Sequence, residues 1–319
     1  MGRIVVVSNP KSRVNRSQPR LVGELAEILG DREAVEQPAD LVALDHTIAR
    51  LHEQGVDTLA VNGGDGTLHK VLSAVVRRWS TAAGNVPFAS VKIPQIVLLK
   101  SGTVNTMARN VGVGRRARPM LAALVAAVRE GRPVRTVYRT PVVVNRTHAG
   151  FLFGTGVLSR YMEMYYAGGN PGPAKALWLV AQVCASAAVG GPLARALFAL
   201  DPARVEVDDR VWVPDRYAAI AIGGVNDLGL GFKLFHSAAE NPGRLHALGF
   251  PCAPVEVLKV MPQIYLGRPT RSPHIIDEMV QRVLISGPAA RGFMMDGDFL
   301  PGGEQLLIEA GPPVPFLLP

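Results

Sequence analysis

Along roughly the first 130 residues the apolar positions come in two alternating kinds, short continuous runs and stripes at helical spacing. Residues 4–7 are an unbroken branched run, suited to a strand buried on both faces. Leu21, Leu25, Ile28 and Leu29 then share one helical stripe, and Leu44, Ile48 and Leu51 form another before Gly55. Residues 58–61 predict the next strand. The loop NGGDG follows, then a helix in which Leu68, Val71, Leu72, Val75, Val76 and Trp79 recur three or four apart. Residues 95–99 predict a further strand, followed by the loop SGTVN and by a helix lined by Leu121, Leu124, Val125 and Val128 that ends at Gly131. This alternation predicts βα units around a largely parallel sheet.

After Gly131 the period changes to two. Residues 134–138, 142–144, 218–222, 283–285 and 306–308 read as strands, and residues 205–207 turn through Asp208-Asp209 to 211–213. A second, mainly β domain is predicted, with the boundary near Arg132-Pro133. Within it residues 174–200 are strongly apolar, but Lys175, Gln182, the breaker Gly190-Gly191-Pro192 and Arg195 interrupt them. No clean stretch of about 20 apolar residues remains for a membrane span, and two helices are predicted instead. The ending GPPVPFLLP predicts a Pro-rich tail packed on the surface.

Composition narrows the function. The chain has 319 residues, 48% hydrophobic and 19% charged, which fits a folded two-domain protein rather than a disordered one. Lys and Arg number 34 against 26 Asp and Glu, a formal charge of +8. At 6% aromatic there are few platforms for bases, so no nucleic-acid partner is expected, and an anionic substrate or an anionic membrane surface fits better. The denser basic patches are Arg115, Arg116 and Arg118, and Lys11, Arg13, Arg16 and Arg20. Cys184 and Cys252 supply neither a disulfide framework nor CxxC spacing, and the run at residues 4–7 is far short of a signal-peptide core. A cytoplasmic location is expected. The histidines are scattered without ligand spacing.

Four loops are candidates for chemistry. In Asn62-Gly63-Gly64-Asp65-Gly66-Thr67 the glycines let backbone approach a ligand, and the N–H groups of a helix start favour phosphate. An acid there needs a cation between it and a phosphate, so Asp65 suggests Mg²⁺ or the handling of a proton. A plain glycine-rich turn with an N-capping Asp is the alternative. Ser101-Gly102-Thr103-Val104-Asn105 repeats the arrangement after the next strand, on the same edge of a parallel sheet, where open α/β sheets bind ligands. Ser8-Asn9-Pro10-Lys11-Ser12 leaves the first strand at that edge and adds an amide and a positive charge, or forms only an Asx turn. Far downstream, Met294-Met295-Asp296-Gly297-Asp298 puts two carboxylates around a glycine, able to hold a metal or to take a proton from a hydroxyl; an Asp-Gly hairpin turn is the alternative. Neither a Walker A lysine motif nor GxGxxG is present.

Together SNPKS, GGDGT at residues 63–67, SGTVN with Ala108-Arg109, and the late Asp-Gly-Asp resemble the diacylglycerol kinase catalytic-domain superfamily, with bacterial lipid kinases, sphingosine kinases and ceramide kinases as relatives. NAD kinases share GGDGT, but Gly102-Thr103 with Asn105 and Ala108-Arg109 looks like lipid kinases. The resemblance implies a three-layer α/β nucleotide-binding domain, residues 1–132 completed by about 306–319, and a β-sandwich lipid domain, residues 133–305. It implies ATP and Mg²⁺ as cofactors and transfer of the γ-phosphate to a lipid hydroxyl, diacylglycerol or a sphingoid or ceramide-like lipid. Asn9, Lys11, Gly63, Gly64, Asp65, Gly66, Thr67, Ser101, Gly102, Thr103 and Asn105 would contact the nucleotide. Asp296 would be the general base, and Asp65 and Asp298 would organise Mg²⁺, with Asp65 also at the reacting centre. The sequence departs from the family pattern at His69-Lys70, where Asn-Glu is common, at Thr106, at Asp298, and at Glu240-Asn241-Pro242-Gly243 in place of an Asp-Gly loop that holds a structural metal in some members. A membrane lipid substrate, attachment to the inner leaflet, a role in phospholipid biosynthesis and a homodimer are further expectations. A non-catalytic nucleotide or lipid sensor and a NAD kinase are the competing readings.

Overall fold

A computed structural model describes residues 3–30, 34–82, 88–102, 104–167, 172–229 and 231–319. The chain divides into two compact units. One comprises residues 1–141, 146–150 and 311–319, the other residues 142–145 and 151–310.

The first unit is α/β. The strands Ile4–Ser8, Thr58–Gly63 and Gln95–Lys100 lie side by side and parallel, in the register Val6 to Ala60 to Val97, and their branched side chains are buried. The short strand Val35–Glu36 continues the sheet on one side. The helices Leu21–Leu29 and Ala117–Arg129 pack together, as do Leu41–Glu53 and Asp65–Ala82, and the two pairs cover the sheet. Buried Leu68, Val71, Leu72, Val75 and Val76 are the stripe the spacing predicts.

On its other side the sheet is completed by the end of the chain, within the residues that the resemblance returns to this domain, and by a strand beyond the expected boundary at Arg132. Val314–Leu318 runs parallel to Gln95–Lys100 at the Phe316–Ile96 register and antiparallel to Arg135–Arg139 through five residue pairs. The ending is therefore an interior strand, with Val314, Phe316 and Leu317 buried, and not a surface tail. Alternate apolar side chains outweigh the amides that its prolines cannot supply. For the same reason Arg135–Arg139 belongs to the first unit, which extends to Pro141 rather than to Arg132. Gln305–Ala310 lies in the second unit, because it pairs there with Arg282–Ser286 and with Val142–Val144.

The second unit is strand-rich. One sheet runs Arg210–Val211, Arg204–Val207, Arg282–Ser286, Gln305–Ala310, Val142–Val144; another runs Ile276–Val280, Leu245–Phe250, Ala219–Gly223, Leu152–Gly154, Gly292–Met295, Asp298–Pro301. Their inner faces share one core in which Val144, Val205, Val283 and Ile308 of the former meet Phe153, Ile220, Ala247 and Phe293 of the latter. That is the alternation the period of two predicts. The two expected helices are Pro173–Ala188 and Pro192–Leu197, separated at Gly190-Gly191. No described helix is long and apolar enough to cross a membrane.

Candidate active site

In the first unit three loops leave the carboxyl ends of adjacent parallel strands and are tied into one structure. Asn9 joins the first to the second: its N–H donates to the Asn62 carbonyl at 3.0 Å, and its Nδ2 donates to Thr67 Oγ1 at 2.9 Å. Its Oδ1 accepts the Lys11 N–H at 2.9 Å, so the Asx turn is present and the exposed Lys11 side chain stands at its tip. The Ser101 N–H donates to the Gly63 carbonyl at 3.1 Å, joining the second loop to the third.

Two glycines are required by contact. A Cβ on Gly64 would lie 2.9 Å from Gly102 Cα, and one on Gly102 would lie 2.4 Å from Gly64 Cα. The two loops cross backbone to backbone, so any side chain at either position drives them apart. A Cβ on Gly63 would strike the Thr67 side chain at 2.4 Å. Gly66 lies in the first turn of the helix Asp65–Ala82. Asn105 adopts the left-handed conformation, with φ 53°, and its side-chain amide closes a ring on Gly102, Oδ1 accepting from the Gly102 N–H at 3.1 Å and Nδ2 donating to the Gly102 carbonyl at 3.0 Å. Thr103 lies outside the described residues.

Asp65 spends both carboxylate oxygens on the third loop. Oδ2 accepts the Thr106 N–H at 2.8 Å and Oδ1 the Met107 N–H at 3.0 Å, so it caps the helix Thr106–Val111 while standing in the first turn of its own. Its negative charge is favoured at both helix starts. Residues 3–137, which hold all of these loops, match the family described as the diacylglycerol kinase catalytic domain.

Relatives extend the likeness beyond that domain. A Klebsiella pneumoniae (strain 342) protein described as a probable lipid kinase YegS-like is 27% identical over 264 residues, covering 77% of this chain and 73% of that one. An Enterobacter sp. (strain 638) protein of the same description is 24% identical over 257 residues, covering 78% and 73%. The crystal structure of a diacylglycerol kinase from Bacillus anthracis str. Sterne superposes with a TM-score of 0.64 at 14% identity, covering 99% of this chain and 97% of that one, a likeness of fold.

Of the polar residues beneath the three loops, Ser8, Asn62 and Ser101 belong to the candidate motifs and Asn15 does not. Asn62 Nδ2 donates to Ser8 Oγ at 2.9 Å and to Asn15 Oδ1 at 3.1 Å, Ser101 Oγ donates to Asn62 Oδ1 at 2.5 Å, and Asn15 Nδ2 donates to the Asn9 carbonyl at 2.7 Å. Ser8, Asn15, Asn62 and Ser101 are all buried. Ser101 thus serves this buried network. The visible signal for Asn62 and Asn15 is a polar residue where burial is expected, at a strand end and inside a helix.

His69, one turn along the helix from Asp65, is turned to the strand His148–Gly150. It is 3% exposed, and its Nδ1–H donates to the Ala149 carbonyl at 3.0 Å, while Ser73 Oγ donates to the His69 carbonyl and accepts the Ala149 N–H. It binds its helix to the strand His148–Gly150, and the neighbouring Lys70 is exposed.

Asp296 and Asp298 belong to the strand-rich unit. Asp296 and Gly297, with φ 48° and 93°, form the two-residue turn between Gly292–Met295 and Asp298–Pro301, with Met295 paired to Asp298. The hairpin turn and the candidate acid are therefore the same feature. Asp296 Oδ1 accepts the Phe151 N–H at 3.0 Å and the Leu152 N–H at 2.9 Å, Oδ2 shares the Phe151 amide at 3.1 Å, and the Asp296 N–H donates to the Leu152 carbonyl. The carboxylate is held by backbone at a fixed orientation. Tyr166, at the end of the helix Val157–Tyr166, has its pKa raised by burial and by the nearby Asp298. Tyr161 on the same helix donates to the Ala176 carbonyl at 2.8 Å and is pushed up to about 12, mainly by burial.

Proposed function

We propose that the protein is an ATP-dependent lipid kinase that transfers the γ-phosphate of ATP to the hydroxyl of a membrane lipid, diacylglycerol or a sphingoid or ceramide-like lipid. The observation that carries this reading is the close crossing of Gly64 and Gly102 at the carboxyl edge of the parallel sheet, within the kinase domain. Two glycine loops in backbone contact, one of them at the start of a long helix, suit a nucleotide's phosphates. Asn9, Lys11, residues 63–67, Ser101, Gly102, Thr103 and Asn105 would surround them. Mg²⁺ would neutralise phosphate charge. Asp65, already committed to two backbone amides, would meet it through its remaining lone pairs, and Asp298 is the second proposed acid.

Asp296 is the proposed general base. A lipid hydroxyl is a poor nucleophile at neutral pH, and transfer needs an oriented acceptor for its proton more than covalent chemistry. Two backbone amides provide that orientation at Asp296.

Access to lipid is supported by the helix Pro173–Ala188. Its exposed positions Ala174, Leu177, Trp178, Ala181, Ala185 and Ala188 recur at helical spacing and are all apolar, with Leu177 53% and Trp178 61% exposed. Residues 164–200 contain no acidic side chain, and Lys175 and Arg195 are basic. Such a face suits the surface of an anionic bilayer, with Trp178 at the headgroup level. The exposed Arg115, Arg116 and Arg118 would add to that attraction.

The test is transfer of labelled γ-phosphate from ATP with Mg²⁺ into mixed micelles containing diacylglycerol, monoacylglycerol, sphingosine, ceramide or phosphatidylglycerol, with NAD as a soluble control. A labelled lipid is the expected result and names the substrate class. Label only in NADP, or ATP binding with no transfer, overturns it in favour of a NAD kinase or a sensor.

A further inference from the structure

The histidines carry no ligand spacing in sequence, yet two of them meet an acid in the strand-rich unit. His246 lies on Leu245–Phe250 and Asp277 on the neighbouring antiparallel strand Ile276–Val280. His246 is paired with Met279 and Leu248 with Asp277, so His246 and Asp277 are diagonal neighbours on one face. His246 Nε2 is 2.7 Å from Asp277 Oδ1, and His236 Nε2 is 3.3 Å from both Asp277 oxygens. The ligand atoms of all three residues lie within 4.8 Å of one another. His246 is 1% exposed, and the side chains of His236 and Asp277 are 14% and 18% exposed.

The surroundings orient His236 and Asp277 inward. Ser237 Oγ sits 2.7 Å from His236 Nδ1, which turns Nε2 of that ring to the cluster. The Ser237 N–H approaches His246 Nδ1 at 3.4 Å. Thr270, itself buried, donates to Asp277 Oδ2 through Oγ1 at 2.9 Å and through its N–H at 3.3 Å. The imidazoles stand edge to face, 4.5 Å between centroids at 85°, and Phe235 shields the buried ring. A hydrogen-bonded pair accounts for His246 and Asp277, but not for a second imidazole directed at the same carboxylate by its own hydroxyl partner. The hydrogen bond on the far nitrogen of His236 is the usual outer-shell support of a metal-binding histidine, and the Ser237 N–H, which His246 Nδ1 accepts, gives His246 no such support.

We propose that His236, His246 and Asp277 form a binding site for a divalent transition metal of the Zn²⁺ class. Two imidazole nitrogens and one carboxylate suit Zn²⁺, whereas Mg²⁺ prefers an all-oxygen set. Three protein ligands leave a fourth position for solvent. The ion would tie the segment at His236-Ser237 to the two strands. The site is independent of the kinase reading, since none of its residues belongs to the glycine loops or to the Asp296 hairpin.

The experiment strips the full-length protein with a chelator, dialyses it, and titrates it with Zn²⁺ against a chromophoric competitor and with Co²⁺ by visible absorption. Expected are one equivalent of Zn²⁺, a thermal midpoint raised by the metal, and intense Co²⁺ bands of a four-coordinate site. His236→Gln, a partly exposed position, should lower Zn²⁺ affinity at least tenfold with an unchanged far-ultraviolet spectrum, while His46→Gln, at an exposed histidine, should change nothing. Absence of stoichiometric Zn²⁺ uptake, or equal affinity in folded His236→Gln, overturns the proposal. Should that variant not fold, the wild-type Co²⁺ spectrum decides, since weak octahedral bands or none are equally fatal.

Discussion

Asp65 and Asp296 are each held by the amides of two consecutive residues, and the way the bonds are shared separates them. Asp65 gives one oxygen to Thr106 and the other to Met107, a two-handed cap that joins two loops. Asp296 takes both Phe151 and Leu152 on Oδ1, while Oδ2 shares the Phe151 amide. A side chain that divides its oxygens between two donors is needed for shape. One that takes both donors on a single oxygen is aimed, and its shape survives loss of charge on the other.

The sharpest way to break that contrast is Asp296→Asn. Its carbonyl oxygen still accepts both amides, so ATP affinity and thermal midpoint should stay near wild type while turnover falls at least about a hundredfold, as for loss of a general base. Steady-state phosphate transfer beside calorimetric ATP titration checks it, and unchanged turnover removes Asp296 from the reaction. Next in size is Gly102→Ala. The added Cβ meets Gly64 Cα, and forcing the loops apart costs about 1–3 kcal/mol, so ATP should bind about tenfold or more weakly in a fluorescent-nucleotide titration.

Asp65→Asn should act in the opposite sense to Asp296→Asn. An amide nitrogen would face a backbone N–H that now has a carboxylate oxygen, at a cost of about 1–3 kcal/mol. The thermal midpoint should drop by several degrees; a midpoint equal to that of Asp296→Asn would erase the distinction. The smallest effect expected is Trp178→Ser, which should weaken sedimentation with anionic vesicles a few-fold and leave transfer to a short-chain soluble lipid unchanged.

Much of the first unit was readable because its strands are buried on both faces and its helices carry long stripes, patterns no other element produces over that length. The glycine loops were readable for a similar reason, since strand, glycine turn and helix are consecutive in the chain. The residue pattern alone placed neither Val314–Leu318 nor Arg135–Arg139, because each is short and its place depends on a partner far away in sequence, although the resemblance returned the end of the chain to the first domain. Proline content pointed to a surface tail, and burial of Val314, Phe316 and Leu317 prevailed. His69 looked like a change beside the nucleotide, yet helical geometry turns it to Ala149.

By itself the sequence determined the two kinds of secondary structure, the order of the loops and the residue types that a phosphate site needs, since all of these follow from neighbours within a turn or a strand. Only the tertiary structure decided that Gly64 must meet Gly102, that Phe151 and Leu152 hold Asp296, and that His236, His246 and Asp277 converge. Those contacts join residues tens to more than a hundred positions apart. Strand register and crossing geometry set them, and no local spacing encodes either.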